Sequence, residues 1–447
     1  MIGFKIFIGI VFILLFTAMF TIMLVFERNR YRNIICWTLI FLVTNVFGFL
    51  AYLIHIMLYY RKRKSLLIKE NEDDIYKKLI SNKLKENSID IEDDLFAFNN
   101  AVYGANTTLY NDYEFFNKYS KFKDALSKDI KNATKYVFIQ INSFAEEDFK
   151  QIKEQLIDKV KSGVLVRFTY DCRISRKFKQ DLKLAGVKIY KFGKYDLLDR
   201  RYKNIRNMVS IDGKCVYKGA FLTKKLLSEN KPIDIANLYV KYTGDSVEDM
   251  DLSLRQDTAS ASGKYIEYEK LEDGQISNNS IIQFVNNKLN KDFELLFVKA
   301  MSIAKTSIQL QLESFIPTDS IMALLKYAVN SNIDVKLIVS LKSKNKSTNF
   351  SSRAYAKELA LNGAQVYLYD GYINFNAIVI DNEQVLTGSY SLERNSVGTK
   401  LQNIVLIKDH KAVEYLNAEF EKAVNNSYRI NDAKYMLLRE KIFKNIV

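Results

Sequence analysis

The sequence predicts an α/β protein of two tandem repeats packed about a pseudo-two-fold axis, preceded by an N-terminal transmembrane helical hairpin. Two observations point to the repeats. The segment Ile205–Gly219 recurs without a gap 169 residues later as Asn374–Gly388, pairing Asn207 with Asn376, Ile211 with Ile380, Asp212 with Asp381, Val216 with Val385 and Gly219 with Gly388. The likeness extends upstream: Ser162–Asp171 match Ser331–Ser340 at the same offset, and Ala133–Phe144 match Ala304–Phe315 at 171. A third observation points to the hairpin: Ile6–Phe26 and Ile34–Tyr60 are uncharged apolar runs separated by a short charged connection.

Residues 1–64 read as a two-helix membrane anchor. Each run is long enough to cross a bilayer as a helix. Trp37 and Tyr59–Tyr60 sit where an aromatic belt would, and no small-residue cleavage site follows the first run. Arg61–Lys64, directly after the second run, place the bulk of the chain in the cytoplasm, with Arg28, Arg30 and Arg32 pulling the other way. Asn45 and His55 inside the second run read as packing or helix–helix contacts.

Residues 65–102 read as a charged spacer with an exposed helix over Lys69–Glu86. Residues 103–244 form the first repeat, the acidic stretch 245–280 with Thr258–Gly263 a linker, and 281–426 the second repeat. Strands alternate with helical segments in both halves, which predicts largely covered sheets. Within each half the duplicated segment reads as a β-hairpin: an apolar strand, an Asp-Gly or Asp-Asn turn, and a second strand ending at Gly. Residues 427–447 place Tyr435, Leu438, Ile442 and Ile446 on one side of an amphipathic helix, docked on the core or lying on a membrane.

Charge narrows the partners. The net charge of +15 calls for an anionic one, a membrane surface or a nucleic acid. Twelve Lys or Arg stand against three Asp between Arg173 and Asn207. Of these, Arg173, Arg176, Lys177, Lys179, Lys191, Lys194, Arg200, Arg201 and Lys203 are the candidates for contact with anionic lipid, each worth ~1 kcal/mol near a charged surface. Phe178, Tyr190, Phe192, Tyr195 and Tyr202 are interleaved at what would be headgroup depth. A solvated surface is the alternative. Nucleic acid uses similar residues, but nothing in the chain resembles a nucleic-acid module. The three Cys (36, 172 and 215) lack metal-ligand spacing and read as reduced thiols. No metal or cofactor is expected.

The duplicated segments resemble those of bacterial cardiolipin synthases in the phospholipase D superfamily, and the resemblance covers nearly the whole chain. It implies two phospholipase D-like α/β repeats whose hairpins each carry His-x-Lys-x-x-x-x-Asp and meet at one active site. The matching positions here are Ile205, Asn207 and Asp212, and Asn374, Asn376 and Asp381. Both His and both Lys of the pattern are absent. Leu312-Glu313-Ser314 stands where the family has Thr-Pro-Tyr, Ser391 replaces a motif Asn, and Gln402 a later Glu.

The family reaction, phosphatidyl transfer that condenses phosphatidylglycerol, needs one imidazole to attack phosphorus and another to protonate the leaving alcohol. Ile has no lone pair, and an Asn amide is neither basic nor nucleophilic. The whole chain has two His, His55 and His410, outside both hairpins. Loss of the Lys pair removes charge that stabilises the phosphoryl oxygens, typically a few kcal/mol per donor. With Asp212 and Asp381 retained, the site is expected to be net negative. Those two Asp read first as turn residues, with a residual ligand role as the alternative. Ser389 is a turn hydroxyl or an anion donor. The expectation is a membrane-anchored, catalytically inactive relative that binds anionic phospholipid or regulates an active homologue. The alternatives are an active cardiolipin synthase or phosphodiesterase using other residues, and a nucleic-acid-binding protein at the membrane.

Overall fold

The computed structural model describes residues 2–26, 31–44, 47–57, 93–192, 203–227, 234–264, 266, 279–287, 292–342, 346–394 and 400–430. Two twisted sheets form the body. The first runs Asn111–Phe116, Tyr239–Gly244, Cys215–Lys218, Met208–Ile211, Tyr136–Ile141, Leu165–Tyr170, Lys188–Lys191. Its first four pairings are antiparallel and its last two parallel. The second contains Ile281–Asn286, Asn403–Lys408, Gln384–Ser389, Asn376–Ile380, Ser307–Leu312, Asp334–Ser340, Gln365–Tyr369, with the same succession of directions. Register agrees too: Met208 faces Lys218 in one motif hairpin and Ala377 faces Thr387 in the other.

The sheets face each other across a shared apolar layer. Phe138, Met208, Val216 and Val240 from the first meet Phe284, Val379, Val385 and Val405 from the second. Two short parallel ladders stitch the halves together. Lys203–Asn204, just before the first motif hairpin, pairs with Lys400–Leu401, and Tyr372–Ile373, just before the second, pairs with Ile235–Ala236. The motif glycines permit a close approach at the hairpin ends. A Cβ on Gly219 would fall 2.4 Å from the Tyr239 ring, and one on Gly388 2.5 Å from the Asn403 carbonyl oxygen.

Three segments differ from the sequence reading. The expected linker contains a 17-residue helix, Ser246–Ser262, with Val247, Met250 and Leu254 in the shared layer. Two of its acidic groups are buried and paired: Asp251 with Arg255, and Asp257 with Arg206. The end of the expected spacer is likewise core, because helix Asp94–Tyr103 buries Leu95, Phe96 and Tyr103 against the second unit. Thr107–Thr108 then extends the second sheet before the chain enters the first. At the other end, Ser427–Arg429 is a strand paired to Gln365–Tyr369 rather than the start of a helix. The expected helix 69–86 and the tail beyond 430 lie outside the described residues.

At the N-terminus Ile2–Phe26 is a single 25-residue helix. Within the second apolar run, Tyr31–Thr44 and 47–57 are helical. Met23, Phe41 and Tyr52 pack these pieces together. Among residues described down to their side chains, no helix is long and apolar enough to cross a membrane; helix Ile2–Phe26 is described over its whole backbone but only in part for its side chains.

Candidate functional site

The mouths of the two motif hairpins line one cavity of about 360 Å³, bounded by Ile205, Asn207, Asn374, Asn376 and Ser389. Asp212 and Asp381 are not among its walls. Each sits at its hairpin's turn, five residues from the motif Asn, which along a strand is about 17 Å. Both turn residues take a left-handed φ of 53°. The Asp212 carboxylate accepts the backbone N–H groups of Thr134 (2.7 Å), Lys135 (2.8 Å) and Tyr136 (2.7 Å), plus the Thr134 hydroxyl (3.1 Å). Asp381 does the same with Lys305 (2.8 Å), Thr306 (2.8 Å), Ser307 (2.9 Å) and the Thr306 hydroxyl (3.0 Å). Burial works to raise both carboxyls, and the converging N–H groups outweigh it, holding each below its ordinary range.

At the mouths the two Asn also act alike. Asn207 Oδ1 accepts from the Asn142 N–H at 3.0 Å, and Asn376 Oδ1 from the Glu313 N–H at 2.9 Å. Each amide NH2 is held by a backbone carbonyl, Ile205 O or Tyr390 O. Both side chains therefore pin the end of the neighbouring strand. Ser389 is absorbed similarly, its Oγ accepting from the Asn207 N–H at 3.3 Å. Arg206 points away from the cavity, as strand alternation requires, and donates to Asp257, Gln402 O and Asn287 O.

The expectation of a net negative site is overturned, because the two Asp are elsewhere. Three lysines, Lys203, Lys218 and Lys400, line the cavity against two glutamates, Glu313 and Glu393. Glu393 accepts from Lys400 and Ser314, both at 2.8 Å. Burial pushes its carboxyl up, but Lys400 and the Ser314 and Ser391 hydroxyls more than offset that and keep it low. Glu313 accepts from the Tyr372 hydroxyl. Lys218 was missed from the sequence, although a signal exists: it lies two residues from buried Val216, on the core-facing side of the strand. Neither His55 nor His410 lines the cavity; His410 lies exposed beside Glu414. Among the described residues no His, Cys, Asp or Glu cluster could hold a metal ion.

The sheet order, the paired motif hairpins and the cavity between them set the frame for comparison with known proteins. A family described as "Cardiolipin synthase, PLD-like domain" matches residues 297–424. Cardiolipin synthase 2 of Bacillus cereus is 26% identical over 91% of this chain and 84% of its own length. The major cardiolipin synthase of Bacillus subtilis is 27% identical over 93% and 92%. The chain is similar to the cardiolipin synthases along most of its length. Its fold is also that of a phosphatidylserine synthase from Haemophilus influenzae, with a TM-score of 0.56 at 12% identity, covering 74% of this chain and 92% of that one.

In this cardiolipin synthase-like chain the basic segment is only partly described. Arg173, Arg176, Lys177 and Lys203 are exposed, and Lys179 and Lys191 half-buried. Lys194, Arg200, Arg201, Tyr195 and Tyr202 lie outside the described residues. Two of the interleaved aromatics are not at the surface. Phe178 and Phe192 are buried, Phe178 packing on Phe149 and Phe168, because the helix Arg176–Leu184 turns its apolar side inward.

Proposed function

We propose that this chain is a catalytically inactive member of its family, anchored at a bacterial membrane, that binds anionic phospholipid or acts on an active relative. The observation that carries the reading is the occupancy of the motif positions. Ile205 and Asn374 replace the two nucleophile and acid positions, while Asn207 and Asn376 are tied to strand ends. No imidazole reaches the cavity among the described residues.

Duplication of one ancestral unit about a pseudo-two-fold axis is supported by the matched strand order and register of the two sheets. The anchor is supported by the 25-residue helix Ile2–Phe26 and by outward-facing Val25, Leu39, Leu42, Val43 and Phe47. Arg61–Lys64 favour a cytoplasmic body. Exposed Arg173, Arg176, Lys177 and Lys203 favour an anionic membrane surface over nucleic acid, given the apolar N-terminus. The second reading, an active cardiolipin synthase working through other groups, draws on the names of the relatives. Co-sedimentation of the purified full chain with vesicles tests lipid binding. Preference for phosphatidylglycerol over phosphatidylcholine is expected, and equal binding to both would remove the lipid role. Recovery of an active homologue with the tagged chain would favour the regulatory form.

A further inference from the structure

Lys218 is 3% exposed and lines the cavity. Among the described residues no carboxylate pairs with it. Its ammonium donates to Asn403 Oδ1 at 2.6 Å and lies 5.1 Å from the centre of the Phe284 ring. An ammonium has three N–H donors, so two are unspent. Burial, with the positive charge of Arg206 nearby, pushes the Lys218 pKa well down. Burying a cation without an anion is costly. Thr387, the counterpart in the second hairpin, is neutral and donates to the Asn376 carbonyl. The charge therefore belongs to one half only.

A complementary demand faces the same cavity. Asn374 is 4% exposed, and its Nδ2 donates to Ala220 O at 2.9 Å and Asn237 Oδ1 at 3.2 Å. Its Oδ1 is buried with no hydrogen-bond partner among the described residues. Buried amide oxygens are ordinarily satisfied. The cavity thus lacks an anion at Lys218 and a donor at Asn374. The glutamates do not cancel Lys218, since Glu393 is paired with Lys400 and Glu313 faces Tyr372.

We propose that Lys218 is the anion-binding residue of this cavity, and that the cavity takes a phosphate ester bearing a hydroxyl, its anionic oxygen on Lys218 and its hydroxyl donating to Asn374 Oδ1. This rests on the reading of the cavity as a binding site. The charge enters from the strand after the motif turn, not from the motif positions themselves. The ester is a lipid headgroup or a free phosphate monoester.

The full chain in detergent is titrated with inorganic phosphate and with glycerol 3-phosphate, using calorimetry and thermal unfolding, and then with phosphatidylglycerol vesicles. Lys218→Met is expected to weaken both soluble probes by about tenfold or more. Lys218→Gln serves in its place should the Met variant not fold. Asn374→Leu is expected to weaken glycerol 3-phosphate while leaving inorganic phosphate unchanged. Vesicle binding that falls with Lys218→Met assigns the lipid source; soluble binding alone assigns the free monoester. No binding by the unaltered chain, or equal binding by the Lys218 variants, overturns the proposal. Glycerol release from the vesicles would instead overturn the inactive reading and leave these outcomes legible.

Discussion

At its turn, each motif hairpin keeps a carboxylate that gathers three backbone N–H groups and a hydroxyl, with the same contacts in both halves. At its mouth, the same hairpin carries Ile205 and Asn207, or Asn374 and Asn376, where the family pattern has His and Lys. The turn Asp holds the start of a neighbouring strand and is needed whether or not chemistry occurs. The family pattern has chemical groups at the mouth, and here the Asn pair performs the same structural task as the turn, fastening the strand's other end. In this chain the motif positions that support backbone match the family pattern, and the His and Lys positions do not.

The sharpest way to break this comparison is at the turn. Asp212→Ala removes one acceptor from three backbone donors and is expected to cost roughly 3 kcal/mol or more in denaturant unfolding. Asp381→Ala should cost less, because Asp381 and its partner Ser307 are half-buried where Asp212 and Tyr136 are buried. Equal losses would mean that exposure does not set the cost. Next in size is the acid limb. Each carboxyl is held below its unfolded-state value of about 3.9. Its contribution is thus complete above that value and is lost as pH falls through the lower folded value. Asp212→Asn should flatten the acid dependence of stability below about pH 4, and an unchanged profile would contradict the assignment. At the mouth, Asn207→Ala or Asn376→Ala should cost about 1 kcal/mol each, one neutral hydrogen bond's worth. Losses as large as those at the turn would erase the distinction. Smallest of all, Arg176→Gln in the exposed basic helix should leave unfolding unchanged and lower vesicle binding by about 1 kcal/mol. An unaltered vesicle affinity would remove that residue from the membrane face.

The motif hairpins, their register and the loss of imidazole were legible in the sequence because they depend on local pattern and spacing. The position of the Asp carboxylates was legible too, since five strand residues separate them from the mouth. Reading that charge into the cavity ignored this separation. The helix Ser246–Ser262 was hidden for a different reason. Its Asp251 is satisfied by Ser210, Tyr136 and Arg255, and its Asp257 by Arg206, Gln140 and Asn204. Most of those partners lie far away in the chain, so an acidic local composition looked like a solvated linker. The inward turn of Phe178 and Phe192 was missed because a high density of lysines masked an amphipathic helix and the strand beside it. Lys218 was overlooked because only the second sheet shows what it faces.

The most direct test is to incubate the purified full chain with phosphatidylglycerol vesicles and measure glycerol set free. The account predicts no release above a protein-free blank. Protein-dependent release that disappears on altering a cavity residue such as Glu393 or Lys218 would contradict it.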